Sequence, residues 1–185
     1  MVAGKTLFAR LGYEQTSTSS IAREAGTSES QLMRYFGGKN GLLEAILNES
    51  WTGLNQQISR IVPEAAHSRE ALSRVLTLVL EAFSRDHDLA FLFLFEGRRL
   101  RGSDVILSKG FLLFHDLIQK LIAAGQLDGS FRSDVSSEVL GSALLGCAEG
   151  MIRDRMIAER NGDAGAYGER DISTTFQVMV DSIAG

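Results

Sequence analysis

The stretch that decides the fold runs from Thr16 to Lys39 and reads TSTSSIAREAGTSESQLMRYFGGK. It is rich in serine and threonine and could form a loop, yet small and apolar residues recur in it at intervals typical of helices. Gly26 stands near its middle, where a tight turn requires a positive φ angle. The pattern therefore predicts two short helices, over 18–25 and 29–36, joined at this glycine.

Each of the two predicted helices has one apolar side. Ala22 is small at a point where two helices must approach closely, and Leu32 is placed to fill the angle between them. A pair joined in this way is a helix-turn-helix, although an ordinary helical hairpin inside a bundle would show the same pattern. The residues predicted to face inward are Ile21, Ala22 and Ala25 on the first helix, and Leu32, Tyr35 and Phe36 on the second.

The serines and threonines of this stretch are predicted to be helix caps. Ser17 or Thr16 can cap the first helix. Ser28 can cap the second, and Gln31 three residues later completes a capping box of the S-x-x-Q type. The second helix then exposes the polar residues of its first turns and is short enough to enter a major groove end-on.

The remaining chain shows helical periodicity throughout, which predicts an all-α fold. Phe91, Phe93 and Phe95 alternate as they would in a strand, but the absence of turn signals around them favours a buried helix. Pro63 is placed to end a long helix. The predicted helices outside the first stretch cover residues 3–12, 39–61, 68–85, 87–100, 104–124, 134–160 and 171–183.

The composition argues against several classes of function. The net charge is −4, and residues 1–50 carry five Lys or Arg against five Asp or Glu, so any nucleic-acid site must be small and local. Cys147 is the single cysteine, so no intrachain disulfide can form, and we expect its side chain to be buried as a small hydrophobe. His67, His87 and His115 lack metal-ligand spacing, and the chain has no glycine-rich phosphate loop. Neither an enzyme, nor a metal, nor a cofactor is therefore predicted.

The sequence shows no membrane-spanning run and no signal peptide. Its longest apolar runs are too short to cross a bilayer. The N-terminus lacks a charged start followed by an apolar stretch. A cytoplasmic location with no membrane partner is expected.

Residues 7–47, LFARLGYEQTSTSSIAREAGTSESQLMRYFGGKNGLLEAIL, resemble the DNA-binding domain of the tetracycline-repressor (TetR) family of bacterial regulators. The resemblance implies a DNA-binding domain over 1–48 and an all-helical effector-binding and dimerisation domain over 49–185. It also implies a repressor that binds a palindromic double-stranded DNA operator as a homodimer and is released by a small apolar or amphipathic effector. The alternative is a dimeric small-molecule-binding protein with weakened or lost DNA binding.

The resemblance assigns roles to residues of the helix-turn-helix. Tyr35 and Lys39 match positions that contact phosphates, although core packing of the Tyr35 ring is an alternative. Gln31 can pair in bidentate fashion with adenine, and Met33 offers an apolar contact to a base. The full set predicted to contact DNA is Thr18, Ser19, Thr27, Ser28, Ser30, Gln31, Met33, Arg34, Tyr35 and Lys39.

Two further sets of residues follow from the resemblance in the second domain. Its phenylalanine-rich helices are expected to enclose the effector, although packing in the core explains any single ring as well. The predicted ligand-binding residues are Phe83, Phe91, Phe95, Phe111, Phe114, His115 and Glu149, with Arg98 and Arg153 as further polar candidates. The predicted dimer interface comprises Ser142, Gly146, Gly150, Phe176, Met179 and Ile183, for which packing within one chain is the alternative.

The sequence departs from the family pattern at three places. Glu29 stands where the family often has a basic residue, and it either accepts a hydrogen bond from a cytosine amino group or lies on the solvated face. Gly38 is expected to cap the fourth helix more weakly than serine, and Gly41 to cost about 1 kcal/mol of helix propensity relative to alanine. Met1 falls inside the expected first helix, where family members have a longer helix preceded by a basic arm.

Overall fold

The computed structural model describes residues 1–97, 100–101, 104–105, 109–163 and 167–185, and this part of the chain is predominantly helical. The all-α prediction is confirmed. The helices are α1 (Val2–Leu11), α2 (Thr18–Glu24), α3 (Glu29–Phe36), α4 (Lys39–Ile61), a 3-10 helix (Val62–Glu64), α5 (Ser68–Arg85), α6 (His87–Phe91), a π-helix (Leu92–Glu96), α7 (Lys109–Leu127), α8 (Ser137–Arg160) and α9 (Glu169–Ser182).

The ends of α1 and α4 follow directly from a glycine and a proline in the sequence. α1 ends at Leu11 because the next residue, Gly12, has a φ of +81°, which suits glycine; the Gly12 N–H bonds to the Phe8 carbonyl at 2.9 Å. α4 ends at Ile61, because Pro63 in the following 3-10 helix cannot continue the α-helical ladder. The predicted limits of α4 and α5 are both confirmed.

The predicted helices over 87–100 and 104–124 are wrong in their extent. α6 covers His87–Phe91 and widens into the π-helix, which ends at Glu96. An antiparallel ribbon follows, in which Leu100 pairs with Val105 and Arg101 with Asp104, so α7 begins later than predicted, at Lys109. Strands of two residues are too short to produce the alternation that would have marked them in the sequence. Arg98 lies outside the described residues.

The chain divides into two compact units. The first comprises residues 1–53 and 86–111, and the second comprises 54–85 and 112–185. The first unit therefore contains the α6 and π-helix segment in addition to α1–α3. The domain boundary between 48 and 49 stays a prediction.

Each unit has its own buried core. In the first unit, Phe8 is fully buried, and Trp51 stacks on Phe93 with ring centroids 4.5 Å apart. In the second unit, a Cβ added at Gly141 of α8 would stand 3.4–3.8 Å from side chains of α7, so glycine permits a close helix approach there. Phe176 is buried on α9, a helix that packs against α5.

The turn between α3 and α4 depends on its glycines. Gly37 and Gly38 have φ angles of +68° and +117°, which L side chains rarely adopt, so serine at 38 would be strained rather than a better cap. A Cβ added at Gly41 would lie 1.8 Å from the Phe36 carbonyl oxygen. The sequence assigned Gly41 only a cost in helix propensity, whereas the structure shows that the turn requires it.

We expect Gly41→Ala to lower the free energy of unfolding by about 2 kcal/mol, because the clash with the Phe36 carbonyl exceeds the gain in helix propensity. Gly53→Ala in the same helix is the control, since a Cβ there meets nothing within 4 Å. It should stabilise the protein by up to about 1 kcal/mol. Urea unfolding of both variants measures the difference, and equal stability would contradict the close approach at Gly41.

Candidate DNA-binding interface

The turn between α2 and α3 is a Schellman motif centred on Gly26. The Thr27 N–H bonds to the Ala22 carbonyl at 2.9 Å, and the Gly26 N–H bonds to the Arg23 carbonyl at 3.2 Å. Gly26 has a φ of +64°, as predicted. The motif satisfies the last carbonyls of α2 and reverses the chain within three residues, so α3 begins at Glu29.

Few side chains of the two short helices are buried. Ile21 and Ala22 on α2 and Leu32 on α3 are each less than 5% exposed, as predicted. The prediction is wrong for Ala25, which is exposed, and for Tyr35, which is 69% exposed. Core packing therefore does not explain Tyr35. Because α3 buries only Leu32, most of its surface remains available to a partner.

The caps of both helices are formed by serines. The Ser17 hydroxyl accepts from the Ser20 N–H at 3.1 Å, and the Ser28 hydroxyl accepts from the Gln31 N–H at 3.3 Å. The Gln31 carboxamide oxygen accepts from the Thr27 hydroxyl instead of returning to Ser28, so the predicted reciprocal bond of the capping box is not seen. Thr16, the other predicted cap, is buried and donates its hydroxyl to the Gly12 carbonyl at 2.7 Å.

Most of the residues predicted to contact DNA are exposed. The Arg34 guanidinium donates to the Tyr35 hydroxyl at 3.0 Å and lies 4.8 Å from the centroid of its ring. Both polar groups therefore stand side by side, where two donors can meet one phosphate. The exposed residues of the predicted set are Ser19, Thr27, Ser28, Ser30, Gln31, Met33, Arg34 and Tyr35.

Glu29 forms a specific contact across the turn. Its carboxylate accepts a hydrogen bond of 2.9 Å from the hydroxyl of Thr18, the first residue of α2. A threonine hydroxyl has one proton, so this bond uses the donor that was predicted to contact phosphate. In this conformation the Thr18 hydroxyl proton is not available to a phosphate, and the DNA contact of Thr18 stays a prediction.

Lys39 is engaged by the protein itself. Its ammonium donates to the carbonyls of Tyr13 at 3.0 Å, Thr16 at 3.2 Å and Glu14 at 3.4 Å. It also lies 4.4 Å from the centroid of the Tyr13 ring. The predicted phosphate-binding lysine therefore holds the turn between α1 and α2.

Sequence reasoning missed two residues that belong to this arrangement, Tyr13 and Glu96. The Glu96 carboxylate is 4% exposed and accepts from the Tyr13 N–H at 3.2 Å. The two residues are 83 positions apart, and no spacing pattern in the sequence connects them. The sequence signal was a glutamate placed directly after the apolar run at 89–95.

The predicted effector-binding residues are distributed over both units. Within the first unit, Phe91 stacks on Phe95 at 4.7 Å, and Phe111 meets the Trp51 ring edge-on at 5.7 Å. In the second unit, Phe83 and Phe114 are buried, while His115, Glu149 and Arg153 are partly or fully exposed. Their convergence on one ligand stays a prediction.

The predicted dimer residues lie in the second unit, on α8 and on or just after α9, and they differ in exposure. Ser142 and Gly146 are exposed on α8, Gly150, Met179 and Ile183 are intermediate, and Phe176 is only 5% exposed. Phe176 therefore packs within its own chain, which was the alternative to a contact with a second subunit. Cys147 is exposed, so the prediction of a buried cysteine is wrong.

A cleft of about 370 Å³ lies between α5 and α9 in the second unit. The Ser73 hydroxyl donates to the Gln177 carboxamide at 2.8 Å across it. Arg69 pairs with Asp181 at 2.5 Å, and hydrogen bonds from Arg69 and Gln177 lower the pKa of the Asp181 carboxyl below its ordinary value. Phe176 lines the cleft, and none of the residues predicted to bind the effector does.

The described residues contain neither a candidate metal site nor a candidate membrane-spanning helix. No cluster of three or more His, Cys, Asp or Glu side chains in this part of the chain could hold a metal ion. None of its helices combines the length and apolar character that crossing a bilayer requires.

Comparison with known proteins relates about three quarters of the chain to bacterial regulators. A sequence model described as bacterial regulatory proteins, tetR family, matches residues 1–46. The HTH-type transcriptional repressor KstR2 of Rhodococcus jostii strain RHA1 is 30% identical over 136 residues, which cover 72% of this chain and 67% of that protein. The fatty acid metabolism regulator protein of Bacillus subtilis strain 168 is 23% identical over 148 residues, covering 78% of this chain and 75% of that protein.

The fold is shared with solved structures of such regulators. The transcriptional regulator FadR from Bacillus subtilis, solved in complex with stearoyl-CoA, superposes with a TM-score of 0.82 at 18% sequence identity. The match covers 97% of this chain and 94% of that one. The chain therefore has the same fold as that structure.

We expect Lys39→Met to lower the free energy of unfolding by about 1 kcal/mol in the absence of DNA, because three carbonyls lose a charged donor. Arg34→Met is the control: Arg34 is exposed on α3, so its change should stay within about 0.5 kcal/mol. Urea unfolding of the free protein measures both. If the two variants are equally stable, the lysine contacts do not hold the turn.

Proposed function

The chain belongs to the tetR family of bacterial regulatory proteins, and we propose on that basis that it is a ligand-responsive transcriptional repressor of the cytoplasm. It binds a palindromic operator as a homodimer and is released by a small apolar or amphipathic effector. The observation that carries this proposal is the exposed polar surface of α3. This helix follows a Schellman turn, buries only Leu32, and presents its polar side chains outward.

The proposed DNA contacts separate into two groups. Tyr35 and Arg34 stand side by side and suit the phosphate backbone, which positions the protein without reading sequence. Gln31, Ser30 and Met33 lie nearer the helix start, where recognition helices meet base edges. The Gln31 carboxamide oxygen now accepts a hydrogen bond from the Thr27 hydroxyl. This bond must break before Gln31 can pair with adenine in bidentate fashion.

A homodimer supplies the second recognition helix. A Cβ added at Gly146 or Gly150 of α8 would meet nothing within 4 Å, so this face is open to close approach by another helix. On α9, Phe176 is buried, whereas Val178 is 60% exposed and available as an apolar contact. Two half-sites about 34–36 Å apart would then be read together, which multiplies weak half-site affinities.

An amphipathic effector suits the aromatic residues of the first unit. Phe91, Phe95 and Phe111 are partly exposed and offer apolar ring surface, next to the buried pair of Trp51 and Phe93. A structurally similar regulator was solved with stearoyl-CoA, a molecule with a long apolar chain and a polar head. Release follows if the effector binds the DNA-free arrangement better than the DNA-bound one.

We expect Tyr35→Phe and Gln31→Ala to affect DNA binding differently. Loss of the Tyr35 hydroxyl should weaken binding to all sequences by a similar factor, because the contact is to phosphate. Loss of the Gln31 side chain should relax the preference at one position in each half-site, by about 1–3 kcal/mol. Selection of operator sequences from random palindromic DNA, followed by titration, measures both effects.

We expect a long-chain acyl-CoA to change the fluorescence of Trp51, the single tryptophan, and to weaken operator binding over the same concentration range. By linkage, the factor by which the effector weakens operator binding equals the factor by which operator weakens effector binding. A steroid and free CoA serve as comparison compounds. A fluorescence change that leaves operator affinity intact would contradict effector-induced release.

One observation favours a second candidate, a dimeric small-molecule-binding protein without DNA function. Thr18 is bonded to Glu29 and Lys39 to three carbonyls, so two predicted phosphate contacts are engaged internally. Effector binding without selective DNA binding at low salt would establish this candidate over the repressor.

A further inference from the structure

A buried carboxylate outside the helix-turn-helix contacts the turn that precedes it. Glu96 ends the π-helix, is 4% exposed, and lies beyond residues 1–46, which carry the family match. Glutamate is among the residue types least often buried, because its charge must be compensated. Its carboxylate accepts from the Tyr13 N–H at 3.2 Å.

Tyr13 is held at both of its backbone polar groups. Its N–H donates to Glu96, and its carbonyl accepts from the Lys39 ammonium at 3.0 Å and from the Thr16 N–H at 3.3 Å. The ring is 8% exposed, lies 5.5 Å from the Phe8 ring, and has the Lys39 ammonium 4.4 Å from its centroid. The Glu96 carboxylate and the Lys39 ammonium thus hold Tyr13 through its N–H and its carbonyl, respectively.

The turn held in this way sets two elements of the DNA-binding face. It leads into Ser17, the cap of α2, and it supplies the three carbonyls that bind Lys39 at the start of α4. Without the Glu96 carboxylate, the buried Tyr13 N–H would lose this acceptor, and the backbone of the turn would shift in response. The carbonyls that position Lys39 would then move.

We propose that Glu96 is a positioning residue for DNA binding, which acts through Tyr13 on Lys39 and on the N-terminus of α2. This inference rests on the proposed function, and it adds a residue of the α6 and π-helix segment to the determinants of operator affinity. The carboxylate acts through the hydrogen bond that it accepts from the Tyr13 N–H, and not through a contact with DNA.

The test compares Glu96→Leu with Glu96→Gln in the full-length protein. Leucine removes the acceptor, whereas the glutamine oxygen retains it without the charge. In Glu96→Leu we expect amide hydrogen exchange at residues 13–16 to accelerate about tenfold or more, and operator affinity to fall about tenfold. Glu96→Gln should stay within about threefold of the wild type in both measurements.

Asp86→Asn is the matched control. Asp86 also links α1 to the α6 segment, through an ion pair with Lys5 at 2.5 Å, and its side chain caps α6 at the Leu89 N–H. Asparagine retains the cap and removes the ion pair. Exchange at residues 13–16 should remain at the wild-type rate, since this link does not touch Tyr13.

A double variant shows whether Glu96 acts through Lys39. If it does, Lys39→Met should weaken operator binding much less in the Glu96→Leu background than in the wild type. The proposal is overturned if the two substitutions weaken operator binding independently, so that their factors multiply in the double variant. Unchanged amide exchange at residues 13–16 in Glu96→Leu would also overturn it. If the wild type lacks selective DNA binding, the proposed repressor function fails, and the positioning proposal, which concerns operator binding, is overturned with it. The exchange measurement still shows whether Glu96 holds the turn.

Discussion

The backbone of the turn between α1 and α2 must satisfy its polar groups away from bulk water, and the first unit is arranged around that requirement. Gly12 turns the chain with a φ of +81°, and its carbonyl accepts from the buried Thr16 hydroxyl. The N–H and carbonyl of Tyr13 are bound by Glu96 and Lys39. Because an unsatisfied buried group is costly, this turn joins α1, the start of α4 and the π-helix within one unit.

The neutral charge of residues 1–50 has a structural counterpart. Of their basic side chains, Lys39 bonds to three carbonyls and Lys5 pairs with Asp86, so neither points freely at a partner. Glu29 meanwhile accepts from Thr18 at the start of α2. Affinity for DNA would therefore depend on few phosphate contacts and on helix N-termini, which makes precise placement of those helices more important than net charge.

Two glycines of this region are required for different physical reasons. Gly26 supplies the left-handed conformation of the Schellman turn, and its type and place were evident from the sequence. Gly41 has ordinary helical geometry and looked unfavourable in sequence terms. Its role emerges only from the Phe36 carbonyl, which occupies the space that a side chain would need. Conformational requirements of a glycine are local, whereas steric ones depend on what the rest of the fold places beside it.

The sequence by itself determined most of the helices, the serine caps of α2 and α3, and the helix-turn-helix. These follow from periodicity, from Ser17 and Ser28, and from Gly26, all of which act within a few residues of chain. It did not determine where the π-helix ends or that a two-residue ribbon follows, because such short elements leave no pattern. Only the tertiary structure decided that Lys39 binds carbonyls and that Glu96 reaches Tyr13, since hydrogen bonds between residues far apart in the chain depend on packing.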